Sequence, residues 1–251
     1  MNTAIYKSAS AMVALDRWQG AISQNIASAQ VPGFRKTEQA FESKPMDTQR
    51  YGGVAGATKE ARGVMPTAVS QISFQPGEIR STGNETDFAI QGPGFFKIEA
   101  GKGQTGFTRD GEFHVNAARV LVNKQGFPVE GENGPITLRP EGGRISIGAD
   151  GSLVQGETPV GKLPIFEFAE TAKMRRMGDG LLTAEDPNVQ PKRSANPEIV
   201  SGVLEMSNVR PLQEMVNMIT VSRAYEANQR LIMSQDEVLG KAIQTLGSLS
   251  A

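Results

Sequence analysis

The chain contains no cysteine and only one histidine and one tryptophan. Without thiols it can form neither a disulfide nor a zinc–thiolate site, and it has no cysteine nucleophile. His114 sits between Phe113 and Val115 in an alternating run, with no second histidine to share a metal, so it reads as a surface or satisfied strand position. No G-x-S-x-G elbow occurs, and no pair of carboxylates stands out. Asp87, Asp110 and Asp150 lie beside glycines or at strand entries, where carboxylates shape turns. Nothing here points to catalysis.

An excess of either charge is also missing. Lys and Arg total 26 against 27 for Asp and Glu, a net charge of -1, and the basic residues are scattered. Phosphate binding needs a concentrated positive field, so nucleic acid is not expected as a partner. Arg175-Arg176 and Lys192-Arg193 read as solvated loop pairs. No apolar run approaches the roughly 20 residues of a membrane span, so no integral membrane segment is expected. The apolar stretch 8–15 is followed by Asp16 and Arg17 instead of a small-residue cleavage site, so no cleaved signal peptide is expected. Gly101 to Gly106 has the G-x-G-x-x-G spacing, but the strand-like Phe107-Thr108-Arg109 follows it in place of a helix. A pyrophosphate would lack the helix N-terminus it needs, and no cofactor is expected.

Glycine is plentiful, at 28 of 251 residues, which predicts many turns. At the N-terminal end Ile5, Met12, Leu15, Ile22 and Ile26 recur at helical spacing, an amphipathic helix that stops at Val31-Pro32-Gly33. At the C-terminal end Met218, Tyr225, Ile232, Leu239 and Leu246 fall seven apart, a repeat that asks for a helical partner across a seam. Asn208 is a candidate cap for that helix, Pro211 suits its first turn, and Glu214 suits the helix dipole.

Between these ends lie short β-type runs, among them Asp87 to Gln91, Gly94 to Glu99, Arg144 to Ile147 and Leu163 to Phe168. They are broken by Asp110-Gly111, Gln125-Gly126, Asn133-Gly134, Asp150-Gly151 and Asp179-Gly180, pairs that favour hairpin turns. The expected fold class is mixed α and β: an all-β central domain flanked by N- and C-terminal α-helices that pair in a coiled-coil-like inner layer. The expected boundaries are 1–42 for the N-terminal helix, 43–66 for an extended connector, 67–202 for the β-rich outer domain and 203–251 for the C-terminal helix. The seam partner is open at this point, either the other helix of the same chain or the helices of neighbouring chains.

Gln24-Asn25-Ile26-Ala27-Ser28-Ala29-Gln30-Val31-Pro32-Gly33-Phe34-Arg35 resembles the N-terminal signature of the flagellar rod and hook (axial) proteins, with Asn25, Ala27, Gly33 and Phe34 kept. Asp87 to Phe96, Phe107 to Phe113 and Gly126 to Val129 follow in that family's order. So does Gly202 to Val209, which carries Glu205, Ser207 and Asn208 and leads into Glu214 to Ile219 and Arg223 to Glu226. Within the family, the opening Met1 to Tyr6 and the short connector are most like the proximal rod members.

The resemblance implies a structural subunit of the flagellar basal-body rod, without enzymatic activity. It implies polymerisation through the terminal helices into a hollow drive shaft that transmits torque in the periplasm. The implied partners are other rod subunits, further copies of the chain and the flagellar export apparatus. The competing readings are a distal rod or hook-type subunit, and a β-domain binding module with helical dimerisation.

Overall fold

The computed structural model describes residues 2–45, 64–101, 103–140, 142–169, 174–177, 180–184, 186 and 189–249. They fall into two compact units, each assembled from separated stretches of chain.

The first unit joins Met1–Ala27, Thr37–Gln71 and Arg210–Ala251. Helix α1 (Asn2–Ala27) ends just ahead of Val31-Pro32, and helix α2 (Pro211–Leu249) opens on a proline whose missing N–H is of no consequence in a first turn. The two helices lie in contact. α1 turns Ser8, Ala14, Ala21, Ile22 and Asn25 inward, and α2 buries Glu214 and Val221. Met218, Tyr225, Ile232 and Leu239 of α2, and Met12, Leu15 and Ile26 of α1, are half-buried. The side chains of Ile5 and Leu246 lie outside the described residues. The covered side of α2 is less apolar than the sequence suggests, because Glu214, Asn228 and Gln235 alternate with the large apolar groups.

The connector expected over 43–66 lies outside the described residues from 46 to 63. At its margins the backbone forms strands, Thr37–Pro45 and Val64–Ile72, which pair with each other. Trp18 of α1 meets the edge of Phe41 from the first of these strands at 5.4 Å.

The second unit joins Ser28–Lys36 and Ile72–Val209 and, as expected, is built of strands. A four-stranded sheet runs Met174–Arg176, Leu182–Ala184, Thr105–Thr108, Phe96–Glu99, and a three-stranded one runs Ile145–Ile147, Ser152–Gln155, Thr158–Lys162. Phe88–Gln91 pairs with Glu198–Ser201, and Ile79–Ser81 with Val203–Glu205. Phe88, Phe96, Ile98, Leu121, Val129, Leu153, Leu163 and Ile165 form the core, each essentially without solvent exposure. Each such side chain contributes roughly 1.5–3 kcal/mol of burial. A second cluster gathers Phe95, Phe107, Phe168, Met174 and Leu182, with Phe107 and Phe168 edge to face at 4.8 Å, the geometry that ring quadrupoles favour.

The turn pairs divide. The hairpin expected at Asn133-Gly134 turns one residue earlier, at Glu132-Asn133, with Gly134 already in the returning strand; Gly126 (φ 84) and Gly151 (φ 83) hold turns, and Asp179 lies outside the described residues. Asp110-Gly111 is no hairpin tip: Gly111 is buried, its carbonyl accepts the Phe88 N–H, and a Cβ there would stand 1.7 Å from the Phe88 carbonyl oxygen. The Leu163 to Phe168 run is regular only at Phe166–Glu167, while Leu163 and Ile165 enter the core from irregular backbone. His114 is exposed in the short strand His114–Val115. Of the glycine loop at 101–106, residues 101 and 103–106 belong to the hairpin between Phe96–Glu99 and Thr105–Thr108, and Lys102 lies outside the described residues.

Candidate functional site

The residues of the N-terminal signature separate by unit. In the first unit Asn25, 1% exposed, uses both ends of its amide. Its Oδ1 accepts the Thr37 N–H at 2.9 Å, while Nδ2 donates to the Thr37 carbonyl at 2.9 Å and to Glu214 Oε2 at 3.2 Å. A side chain at the end of α1 thus holds the following strand and the first turn of α2. Ala27 closes α1 and is exposed, and nothing in the structure explains its identity.

In the second unit Gly33 and the neighbouring Arg35 meet Arg109 at Glu205, which is 3% exposed. Arg35 Nη2 lies 2.7 Å from Glu205 Oε1 and Arg109 Nη1 3.3 Å from Oε2. The Gly77 N–H donates to Oε1 at 2.9 Å, and the Gly33 N–H donates to the Glu205 carbonyl at 2.7 Å. Arg109 donates further to the carbonyls of Ile90 and Gly92, and its guanidinium lies over the Phe95 ring at 5.4 Å. Burial pulls the Arg109 guanidinium down to about 10 against the attraction of Glu205, so it stays charged at neutral pH.

Gly33 is required by geometry: its φ is 67, and a Cβ would meet the Asp110 nitrogen at 2.1 Å. Phe34 is buried beneath Arg176, whose guanidinium stacks on the ring at 4.2 Å and donates to the Arg35 carbonyl at 2.7 Å. Arg175-Arg176 is therefore not a solvated loop pair. It lies in the strand Met174–Arg176, and the planar cation is partly covered because an aromatic face and a carbonyl receive it.

Asn208 does not cap α2. Its Oδ1 accepts the Lys36 N–H at 2.7 Å, and its Nδ2 donates to the carbonyls of Ser73 and Gln75, leaving nothing for the helix amides. Ser207 Oγ accepts the Val209 N–H at 3.2 Å. Asn208 and Glu205 together tie the stretch 33–36 to the stretch 73–77. The arrangement holds chain segments in place; among the described residues there is no cluster that could hold a metal ion.

Comparison with known proteins agrees with the course of these segments. Residues 89–155 match the family described as "Flagellar hook protein FlgE/F/G D1 domain", and residues 200–245 match "Flagellar basal body rod FlgEFG protein C-terminal". The flagellar basal-body rod protein FlgF of Mesorhizobium japonicum is 35% identical, with all of both chains covered. That of Salmonella typhimurium is 36% identical over 98% of this chain and 99% of its own. The rod protein FlgG of Borreliella burgdorferi is 32% identical over 96% and 98%. The chain belongs to the flagellar basal-body rod protein family. It is a structural subunit of the rod, not an enzyme, and the assignment to the proximal rod stands with the FlgF relatives.

Arg35 and Arg109 are the functional residues that sequence reasoning passed over. Both lie inside the quoted motifs, but a lone arginine in a motif gives no sign of a partner 170 or 96 positions away.

The Asp110 carboxyl, beside the Gly33 contact, is pushed up to about 6 from 3.8, chiefly by burial. A carboxyl raised in the folded state contributes most below about pH 4, and its contribution falls as pH rises through about 6. Asp110→Asn keeps the oxygen that accepts the Glu112 N–H and removes the charge. It should raise the stability at neutral pH, by at most about 3 kcal/mol, with a higher thermal midpoint, and flatten the pH dependence between about 4 and 6. Thermal melts of the wild type and the variant across that window check it.

Proposed function

We propose that the terminal helices are the polymerising element of this rod subunit. α1 and α2 pair in a coiled-coil-like inner layer, and copies of the chain and other rod subunits stack through them into a hollow torque-bearing shaft. The β-rich region, taken as 67–202 in the reading from sequence, faces outward. The helical ends, 1–42 and 203–251, and the connector 43–66 complete the domain scheme. Export through the flagellar apparatus without a cleaved signal, to a place in the periplasm, belongs to the same proposal and rests on the family.

One observation carries the reading. Beside the row that lies against α1, α2 displays Leu212, Met215, Val216 and Ile219 to solvent, Leu212 at 77% exposure. No exposed charge interrupts that stretch from Pro211 to Ser222, where Glu214 is buried. Large apolar groups clustered on a solvent face mark an interaction surface, and contacts that do not close on themselves produce open helical assemblies.

Leu239, half-buried on the seven-residue stripe, offers the test. Leu239→Asp places a carboxylate in an apolar interface at a cost of several kcal/mol. Rod formation and swimming should fail while the unfolding of the β-rich unit is unchanged. Gln244→Asp, at an exposed position, should be tolerated. Normal swimming of the Leu239→Asp strain would remove the seam from the polymerising element. A discrete dimer of the pure protein with a saturable small ligand would favour the binding-module reading.

A further inference from the structure

Around the Glu205 cluster the β-rich unit holds a cavity of about 420 Å³. Its apolar wall includes Phe74, Ile79 and Ile90, and its polar lining is Arg35, Arg109, Glu205 and Gln91. Two guanidinium groups therefore face one carboxylate. Arg35 and Arg109 are 3% and 7% exposed, and the Nε–H of each has no acceptor. Glu167, outside the lining, adds only a minor attraction to Arg109.

Two buried cations that share one carboxylate leave one positive charge in excess, and an anion that enters beside them relieves the cost of burying it. The planar donor edge of arginine suits a carboxylate, and an apolar wall suits the carbon stem that bears one. The volume lies in the range of sites for small organic molecules.

We propose that this cavity is a binding site for a carboxylate on a short apolar stem. The site stands or falls independently of polymerisation through the helices. Two sources share the chemistry: a free small carboxylate, and a Glu or Asp side chain of an adjoining subunit.

The full chain is titrated with butyrate while the arginine Nε–H signals are followed by NMR, with the uncharged butyramide as control. Butyrate should shift the Arg35 and Arg109 signals saturably in the millimolar range, and butyramide should not. Ile79→Trp, at a half-exposed position of the lining, should fill the cavity and weaken butyrate binding by about tenfold or more.

Gln91, exposed at the end of the strand Phe88–Gln91, gives a second measurement that needs no added ligand. Gln91→Glu should raise the thermal midpoint and abolish the butyrate shifts by supplying a tethered carboxylate, whereas Gln91→Lys should lower the midpoint. Absence of a butyrate response, an equal response to butyramide, or equal effects of Gln91→Glu and Gln91→Lys would overturn the site. Once butyrate binding is established, Ile79→Trp cells separate the sources. Normal swimming assigns the site to a free carboxylate, and loss of rods with normal protein level assigns it to a neighbour's acidic side chain.

Discussion

Glu205→Ala should destabilise the β-rich unit by about 3–5 kcal/mol, the usual consequence of removing one partner from a buried ion cluster. Arg35 and Arg109 would be left as two buried cations, and the Gly77 N–H would lose its acceptor. For a unit of this size a loss of that order lowers the thermal midpoint by roughly 10 °C or more. Glu205→Gln should fall between, because its carbonyl oxygen still accepts while the negative charge is gone. The triple replacement Arg35→Met, Arg109→Met, Glu205→Leu should cost less than Glu205→Ala alone, since it removes all three charges of the cluster together. Denaturant melts of the purified variants decide it. A Glu205→Ala protein as stable as wild type would mean that the cluster does not hold the unit together.

Gly33→Ala should be comparably severe. A left-handed backbone costs an alanine about 1–2 kcal/mol, and here the new methyl would lie 2.1 Å from the Asp110 nitrogen and 2.2 Å from the Arg109 carbonyl carbon. Backbone atoms cannot rotate away as a side chain tip can. Either residues 109–110 or the 33–36 stretch must move, and the Gly33 hydrogen bond to the Glu205 carbonyl moves with it. Gly83→Ala is the control. Its φ is 74, but nothing stands within 4 Å of the added carbon, so only the backbone term of about 1–2 kcal/mol should appear. Equal melting temperatures for the two variants would show that the close approach at Gly33 yields without cost.

Both helices were legible in the sequence because their stripes recur over many turns, and the strands from 87 to 99 because apolar runs there end at glycines. The signature positions were also legible, but only as motifs. Their physical roles were hidden because each depends on a partner far along the chain. Asn208 has the side chain of a helix cap and stands just ahead of Pro211, yet three backbone groups from 36, 73 and 75 engage it first. Arg176 looked solvated because Phe34, the ring it covers, lies about 140 positions earlier. Asp110-Gly111 has turn chemistry but serves a close backbone approach to Phe88. In each case local propensity was overridden by a non-local contact.

The bond from Asn25 to Glu214 spans 189 positions, and the Arg35–Glu205 pair spans nearly as many. Closing a loop of that length costs on the order of 5 kcal/mol of chain entropy before any contact repays it. Neither unit can be completed while residues beyond 205 are still to be made, because each draws on both ends of the chain. A nascent or threading polypeptide of this kind can pair neighbouring strands, such as Ile145–Ile147 with Ser152–Gln155, but completes neither unit until its final segment arrives. The timing of folding is thus written into the order in which the two units share the chain.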